Sequence, residues 1–241
     1  MAGPSFSDRA RAAPDDDDFP IGDDLREGRR PVILPQDLAE ETPFQQLIRH
    51  WMNERHAPDI LPGQEMLLGR LLDHIRKQCN DVELLRADPD SSEEEHFRIM
   101  LVQTEVERVK FVIRSYVRTR LHKIEKHARY ISATPEMHEK LSKAELDHAR
   151  RYARLMEYHF NQSVLQSLPE QQRSLEENVA FMPPMTPEPD KIRPVFAHAL
   201  QDCPPMRLPD GTMSEMQKGQ ISLVPYYVVE HLLLRGEVEL V

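Results

Sequence analysis

The chain has 241 residues, with 41 acidic against 31 basic side chains, 20 prolines, 8 glycines and 2 cysteines. That length allows one domain or two small ones with a sizeable core, while two lone cysteines exclude a disulfide scaffold and a four-cysteine zinc module and suit a reducing compartment. No run approaches the ~18 apolar residues of a membrane span, residues 1–18 lack the apolar core of a signal peptide, and no glycine-rich phosphate loop occurs, so the sequence reads as a soluble intracellular chain with no visible nucleotide motif.

The net charge of −10 is unevenly spread. Residues 1–42 hold 11 acids and 5 bases, including the run Asp15–Asp18, together with five prolines. Such a segment cannot bury enough apolar surface to offset its ordering entropy, which predicts a disordered acidic tail over residues 1–42. Phe19, Ile21 and Leu25 lie among the acids. They are either part of a solvated tail or a short recognition peptide that folds on a partner.

Thr42 is a good N-cap and Pro43 suits a first helical position. Phe44, Leu47, Ile48, Trp51 and Met52 follow at helical spacing until Pro58. A second helix is expected after Pro62-Gly63 on the stripe Met66, Leu67, Leu71, Ile75 and Val82, broken by the turn Asp88-Pro89-Asp90. Ser92 and Glu95 form a capping box that opens a long third helix, expected to reach Tyr130 because residues 92–130 contain no proline or glycine. A second capping box, Ser142 and Glu145, opens a fourth helix. Its stripe of Leu146, Ala149, Ala153, Met156, Phe160 and Val164 suits packing along a long neighbour. Residues 43–168 thus read as one helical bundle.

Prolines then cluster in residues 169–193, which read as a linker. Residues 194–241 read as a small β-rich unit. Val195–Ala197 and Ile221–Val224 are short strands separated by the Pro209-Asp210-Gly211 turn. Tyr226–Arg235 is a helix stopped by Gly236, and residues 237–241 alternate as a last strand. A unit this small is expected to lean on a neighbour. The fold class is therefore mainly α: an N-terminal helical bundle with a small C-terminal β-rich domain, after a disordered acidic tail.

Eleven histidines invite a metal reading, but their spacing lacks ligand pairs such as HExxH, and no nucleophile signature appears. The richest segment is 105–130, with Arg108, Lys110, Arg114, Arg118, Arg120, Lys123, Lys126 and Arg129 against three acids. One reading is a stand-alone DNA-binding helical protein using this basic face. The other is a protein interface, because Arg114 and Arg118 recur beside Tyr116 and Leu121, residue types favoured as interface anchors. The whole chain's acidity favours the second. Ser91 and Ser92 before three glutamates, and Thr186-Pro187, are weak modification signals; the serines also serve as helix caps.

The segment Trp51-Met52-Asn53-Glu54-Arg55-His56-Ala57-Pro58-Asp59-Ile60-Leu61 resembles a segment near the start of the Sld-five subunits of the GINS complex, and Glu107 to Lys126 resembles that family's long arginine-rich helix. The linker Pro187–Asp190, Val195-Phe196 and the closing residues 236–241 fit its carboxyl-terminal module, so the resemblance covers about residues 44–241. It implies a helical A domain and a β-rich B domain in a non-enzymatic, nuclear subunit of a heterotetramer with three Psf-family proteins. It also implies no cofactor, and association with the MCM ring and the Cdc-forty-five protein in the replicative helicase, where any contact with DNA is indirect or weak. On that basis the third helix is expected to pack against a partner's equivalent helix through Arg114, Tyr116, Arg118 and Leu121, and the B domain through its strands and Leu240 and Val241. In some relatives the acidic tail docks on the trimeric adaptor of DNA polymerase alpha, for which Phe19, Ile21 and Leu25 are the matching residues.

Overall fold

The computed structural model describes residues 41–87, 92–175 and 186–241. Nearly all of the acidic tail, with Phe19, Ile21 and Leu25, lies outside these residues, as do the turn at 88–90, Ser91 and linker residues 176–185. The chain divides into two units, 1–42 and 43–241, and the second carries the architecture below.

Helix α1 (Pro43–His56) starts at the expected proline and turns Phe44, Leu47, Asn53 and Glu54 inward. Helix α2 (Glu65–Arg86) buries Leu67, Leu71, Ile75 and Val82 on one stripe. Helix α3 (Glu93–Lys126) opens on the Ser92 box, in which the Glu95 N–H donates to Ser92 Oγ at 3.3 Å and the Ser92 N–H to Glu95 Oε2 at 2.7 Å. It runs 34 residues, about 51 Å at the helical rise. It then stops at Lys126 rather than Tyr130. His127 leaves the helical region (φ −110°, ψ 23°) and its buried ring donates from Nδ1 to the Pro187 carbonyl at 2.9 Å. The break redirects two short helices, α4 (Ala128–Ala133) and α5 (Pro135–His138). Ile131 and Met137 thereby reach a core they share with Ile60, Ile124 and Ala149.

Helix α6 (Lys143–Ser163) begins on the Ser142–Glu145 box, again with both reciprocal bonds. The expected packing stripe holds only at its start. Within α6, Ala149 alone is fully buried, whereas Phe160 is exposed near the far end and Val164 just beyond it. Two 3₁₀ turns, Leu165–Ser167 and Glu170–Gln172, follow.

The terminal region forms an antiparallel sheet in the order β4-β1-β5, from β1 (Pro194–Ala199), β4 (Ile221–Pro225) and β5 (Val238–Leu240). The Pro209-Asp210-Gly211 turn closes its own two-residue ribbon, β2 (Met206–Arg207) with β3 (Met213–Ser214), rather than joining the first two long strands directly. Gly211 sits at φ 84° there, and Asp210 Oδ1 accepts the Thr212 N–H at 2.9 Å. Helix α7 (Tyr226–Arg235) ends at Gly236 in the left-handed conformation (φ 74°), which only glycine adopts without strain.

The terminal core of Val195, Ala197, Val224, Tyr226, Val229, Leu232 and Leu240 is completed by Ala57 and Leu61, from the segment after α1. The backbone N–H of Leu240 donates to Asn53 Oδ1 at 2.8 Å in the buried seam between α1 and β5. The small unit leans on the chain's own helices. Among the described residues no helix is long and apolar enough to cross a membrane.

Replacing Asn53 by Ala leaves a buried N–H without its acceptor, a cost of about 1–3 kcal/mol. Urea denaturation should show a loss in that range, with faster amide exchange at Leu240. Unchanged exchange at Leu240 would mean the seam does not depend on this bond.

Candidate partner interface and the buried charges behind it

Ile113, Tyr116 and Ile124 lie on the inner face of α3, and Arg120 and Lys123 fall on the same face by helical spacing. Both bases are therefore buried, contrary to their place in the expected basic face. Arg120 is 2% exposed, and each of its five N–H groups has an acceptor. Nε donates to Glu145 Oε1 at 2.8 Å, and Nη2 to Glu145 Oε2 at 2.9 Å and the Lys140 carbonyl at 3.1 Å. Nη1 donates to the Leu61 carbonyl at 2.6 Å and Glu54 Oε2 at 3.2 Å. Glu145 is thus both the capping carboxylate of α6 and the fork that grips Arg120. Gly63 belongs to the same site, because a Cβ there would lie 3.3 Å from Arg120 Nη2.

Lys123 uses its three donors on Glu54 Oε1 at 2.9 Å, the Asp59 carbonyl at 2.9 Å and the Glu54 carbonyl. Asp59 Oδ2 accepts Lys140 Nζ at 2.8 Å and lies 3.6 Å from Lys191, which donates to both oxygens of Glu230 on α7. Four cations face four carboxylates, and the chain of pairs runs from α3 through the 54–61 segment to the terminal helix. Burial opposes the charge on Arg120, but the Glu145 and Glu54 carboxylates outweigh it and hold the guanidinium above its usual range. Burial also works against ionised Glu145, yet the Arg120 bonds prevail and hold its carboxyl below the usual value. Burial pulls Lys123 down, with Glu54 pushing back.

The remaining bases of 105–130 are exposed or half-buried. Arg108 lies 3.1 Å from Glu105 with its guanidinium over the Phe44 ring, and Lys110 pairs with Glu107 at 2.9 Å. Of the expected interface residues, Arg114, Arg118 and Leu121 lie on the solvent face of α3. Tyr116 does not. It is 1% exposed, with its hydroxyl accepting the Gln64 N–H at 3.3 Å. Leu240 is likewise turned into the terminal core, because strand alternation places it opposite in sense to Val241. Val241 is exposed.

The sheet presents an outer face that the sequence reading did not assemble. Phe196 stands opposite Leu223, and His198 opposite Ile221 and Glu239. Val241 joins this edge by donating its N–H to the Phe196 carbonyl at 3.0 Å. Phe196, Ile221, Leu223 and Val241 are each more than half exposed, around a His198–Glu239 pair at 2.8 Å. The alternation of β1 and β4 carried the signal, but the partner strands had to be known before the residues met. A second exposed apolar set, Phe97, Met100, Leu101 and Phe111, lies along α3, and a third, Leu155, Tyr158 and Phe160, on α6. Among the described residues no cluster of three His, Cys, Asp or Glu side chains is placed to hold a metal ion.

The family model described as "GINS complex protein helical bundle domain" matches residues 74–164, and the one described as "DNA replication complex GINS protein SLD5 C-terminus" matches residues 189–241. The chain is 33% identical over 211 residues to "DNA replication complex GINS protein sld5" of Schizosaccharomyces pombe, covering 87% of this chain and 97% of that one. It is 31% identical to the SLD5 protein of Chaetomium globosum (86% and 93% covered) and 28% identical to that of Arabidopsis thaliana (85% and 93%).

Truncating Arg120 to Met leaves Glu54 buried without one of its two cationic partners, at a cost of about 3–5 kcal/mol. Urea midpoints should fall accordingly, and a loss below about 1 kcal/mol would remove Arg120 from this role. Because Glu145 is held below the unfolded value of about 4.5, its contribution is present above that pH and is lost as pH falls through the lower folded value. Glu145→Gln should therefore be less stable at neutral pH and show a shallower loss between pH 5 and 3, read from denaturation midpoints across that range.

Proposed function

This chain belongs to the SLD5 family of GINS proteins, which places it in DNA replication, and on that premise we propose that it is a non-enzymatic structural subunit of a GINS heterotetramer. Its partners in that assembly are three Psf-family subunits. Together they join the MCM ring and the Cdc-forty-five protein in the nuclear replicative helicase, whose motor sites belong to other chains. The observation that carries this reading is the outer face of the sheet. Phe196, Ile221, Leu223 and Val241 stand in water on a folded unit whose apolar core lies on the other side of the sheet, and contiguous exposed apolar residues mark an interaction surface. The helical surface adds Arg114, Arg118 and Leu121 on α3 and the far half of the α6 stripe. The acidic tail, with Phe19, Ile21 and Leu25, is the segment for an adaptor of DNA polymerase alpha.

Co-expression with the three Psf-family subunits, followed by native mass measurement, tests the proposal. The expected species is a one-to-one-to-one-to-one tetramer. Phe196→Asp with Leu223→Asp should abolish it or weaken it at least about tenfold, as loss of central apolar anchors does, while the helical circular dichroism of the isolated chain stays unchanged because both side chains are exposed. A monomer under all conditions would refute the subunit reading. Full assembly of the double variant would move the interface elsewhere.

A further inference from the structure

The solvent face of α3 changes character along its length. Phe97, Met100, Leu101 and Phe111 are exposed along residues 97–111, interspersed with Thr104, Glu107 and Arg108. Arg114, Arg118, His122 and Lys126 then follow at four-residue intervals, all exposed, so they form one ridge about 18 Å long at the helical rise. Arg114 reaches Glu107 only at 3.5 Å, and Arg118 and Lys126 form no ion pair among the described residues. The one acid within the span, Glu125, three residues after His122, lies 3.2 Å from the His148 ring on α6. Val117 and Leu121 flank the ridge with exposed apolar surface. Four cationic or protonatable groups in line, with one acid in the span and that one paired with His148, on a chain of net charge −10, constitute a local field that calls for an anionic occupant.

We propose that the α3 ridge Arg114–Arg118–His122–Lys126 docks a partner-subunit helix that carries carboxylates at four-residue spacing and continues as an apolar face over Phe97, Met100, Leu101 and Phe111. The proposal rests on the subunit reading above and adds the chemistry of the helix that α3 receives. The pattern selects a protein helix over a nucleic acid. Phosphates satisfy cations, but a duplex backbone has nothing to bury the exposed apolar residues, whereas an amphipathic helix matches both sets at one pitch. Contact along the whole of α3 also fixes register, since a one-turn slip sets a carboxylate against an apolar residue.

The test uses the tetramer reconstituted from the full chain and the three Psf-family subunits. With Arg118→Glu and Lys126→Glu, the concentration at which the complex dissociates should rise about tenfold or more at low salt, and the difference from the unaltered complex should shrink as ionic strength rises. A photo-crosslinking residue at position 122 should capture a partner peptide with acids four residues apart. Circular dichroism melts of the isolated chain check that both changes, at exposed positions, leave the fold intact. Equal assembly of the charge-reversed chain, or a crosslink to a segment without acids, overturns the ridge proposal alone. Binding of a fluorescent duplex that the same two changes abolish, with assembly intact, overturns it in favour of nucleic acid. If the unaltered chain forms no complex, the subunit reading fails and the proposal fails with it.

Discussion

A guanidinium taken out of water is tolerated only when its donors find acceptors and its charge finds a counter-charge, and Arg120 meets both conditions through four groups from two stretches of the chain, 54–61 and 140–145. Glu54 comes from α1, the Leu61 carbonyl from the following segment, the Lys140 carbonyl from the approach to α6, and Glu145 from its first turn. The two stretches lie far apart in sequence, one before and one after Arg120. Their convergence on one side chain fixes the directions of α1, α3 and α6 relative to one another more narrowly than apolar packing does, because hydrogen bonds weaken steeply with angle. Such a cluster adds little net stability over a well-packed apolar core. What it adds is direction.

Local chemistry made much of the fold readable. The starts of α3 and α6 follow from Ser-x-x-Glu boxes whose bonds involve residues three apart, and the end of α7 follows from one glycine. The parts that were not readable all depend on distant partners. α3 ends at Lys126, and the ring of the following His127 donates to a carbonyl 60 residues away, that of Pro187. The burial of Arg120 and Lys123 runs against the usual exposure of such residues. The spacing of Tyr116, Arg120 and Ile124 nevertheless puts the arginine on the apolar stripe, while Arg118 and Lys126 fall on the other side. Leu240 and Val241 were separable by strand alternation alone. Phe196 and Leu223 became one surface only with the pairing of β1 and β4.

The exposed surface divides by chemistry as well as by place. The sheet's outer face is apolar around a single His198–Glu239 pair, while α3 presents exposed apolar residues and then a cationic ridge. Interfaces built from such unlike patches discriminate among related partners, because a surface complementary to one patch leaves unpaired charge or exposed apolar area on another. For a GINS protein, such discrimination sets which neighbour each patch accepts.

Ala57 and Leu61 lie in the terminal core, Ile60 between them lies in the helical core, and Asp59 carries the lysines that tie to α7. Five consecutive residues thus form a wall common to both halves. Neither half has a complete interior without the other, so loss of one exposes the other's core and the two are expected to melt as a single cooperative transition. Removing the carboxyl-terminal residues therefore injures the helices as well. A truncated chain that fails in a binding assay reports a damaged body, not a missing contact, and only point changes on the outer surfaces distinguish docking from folding.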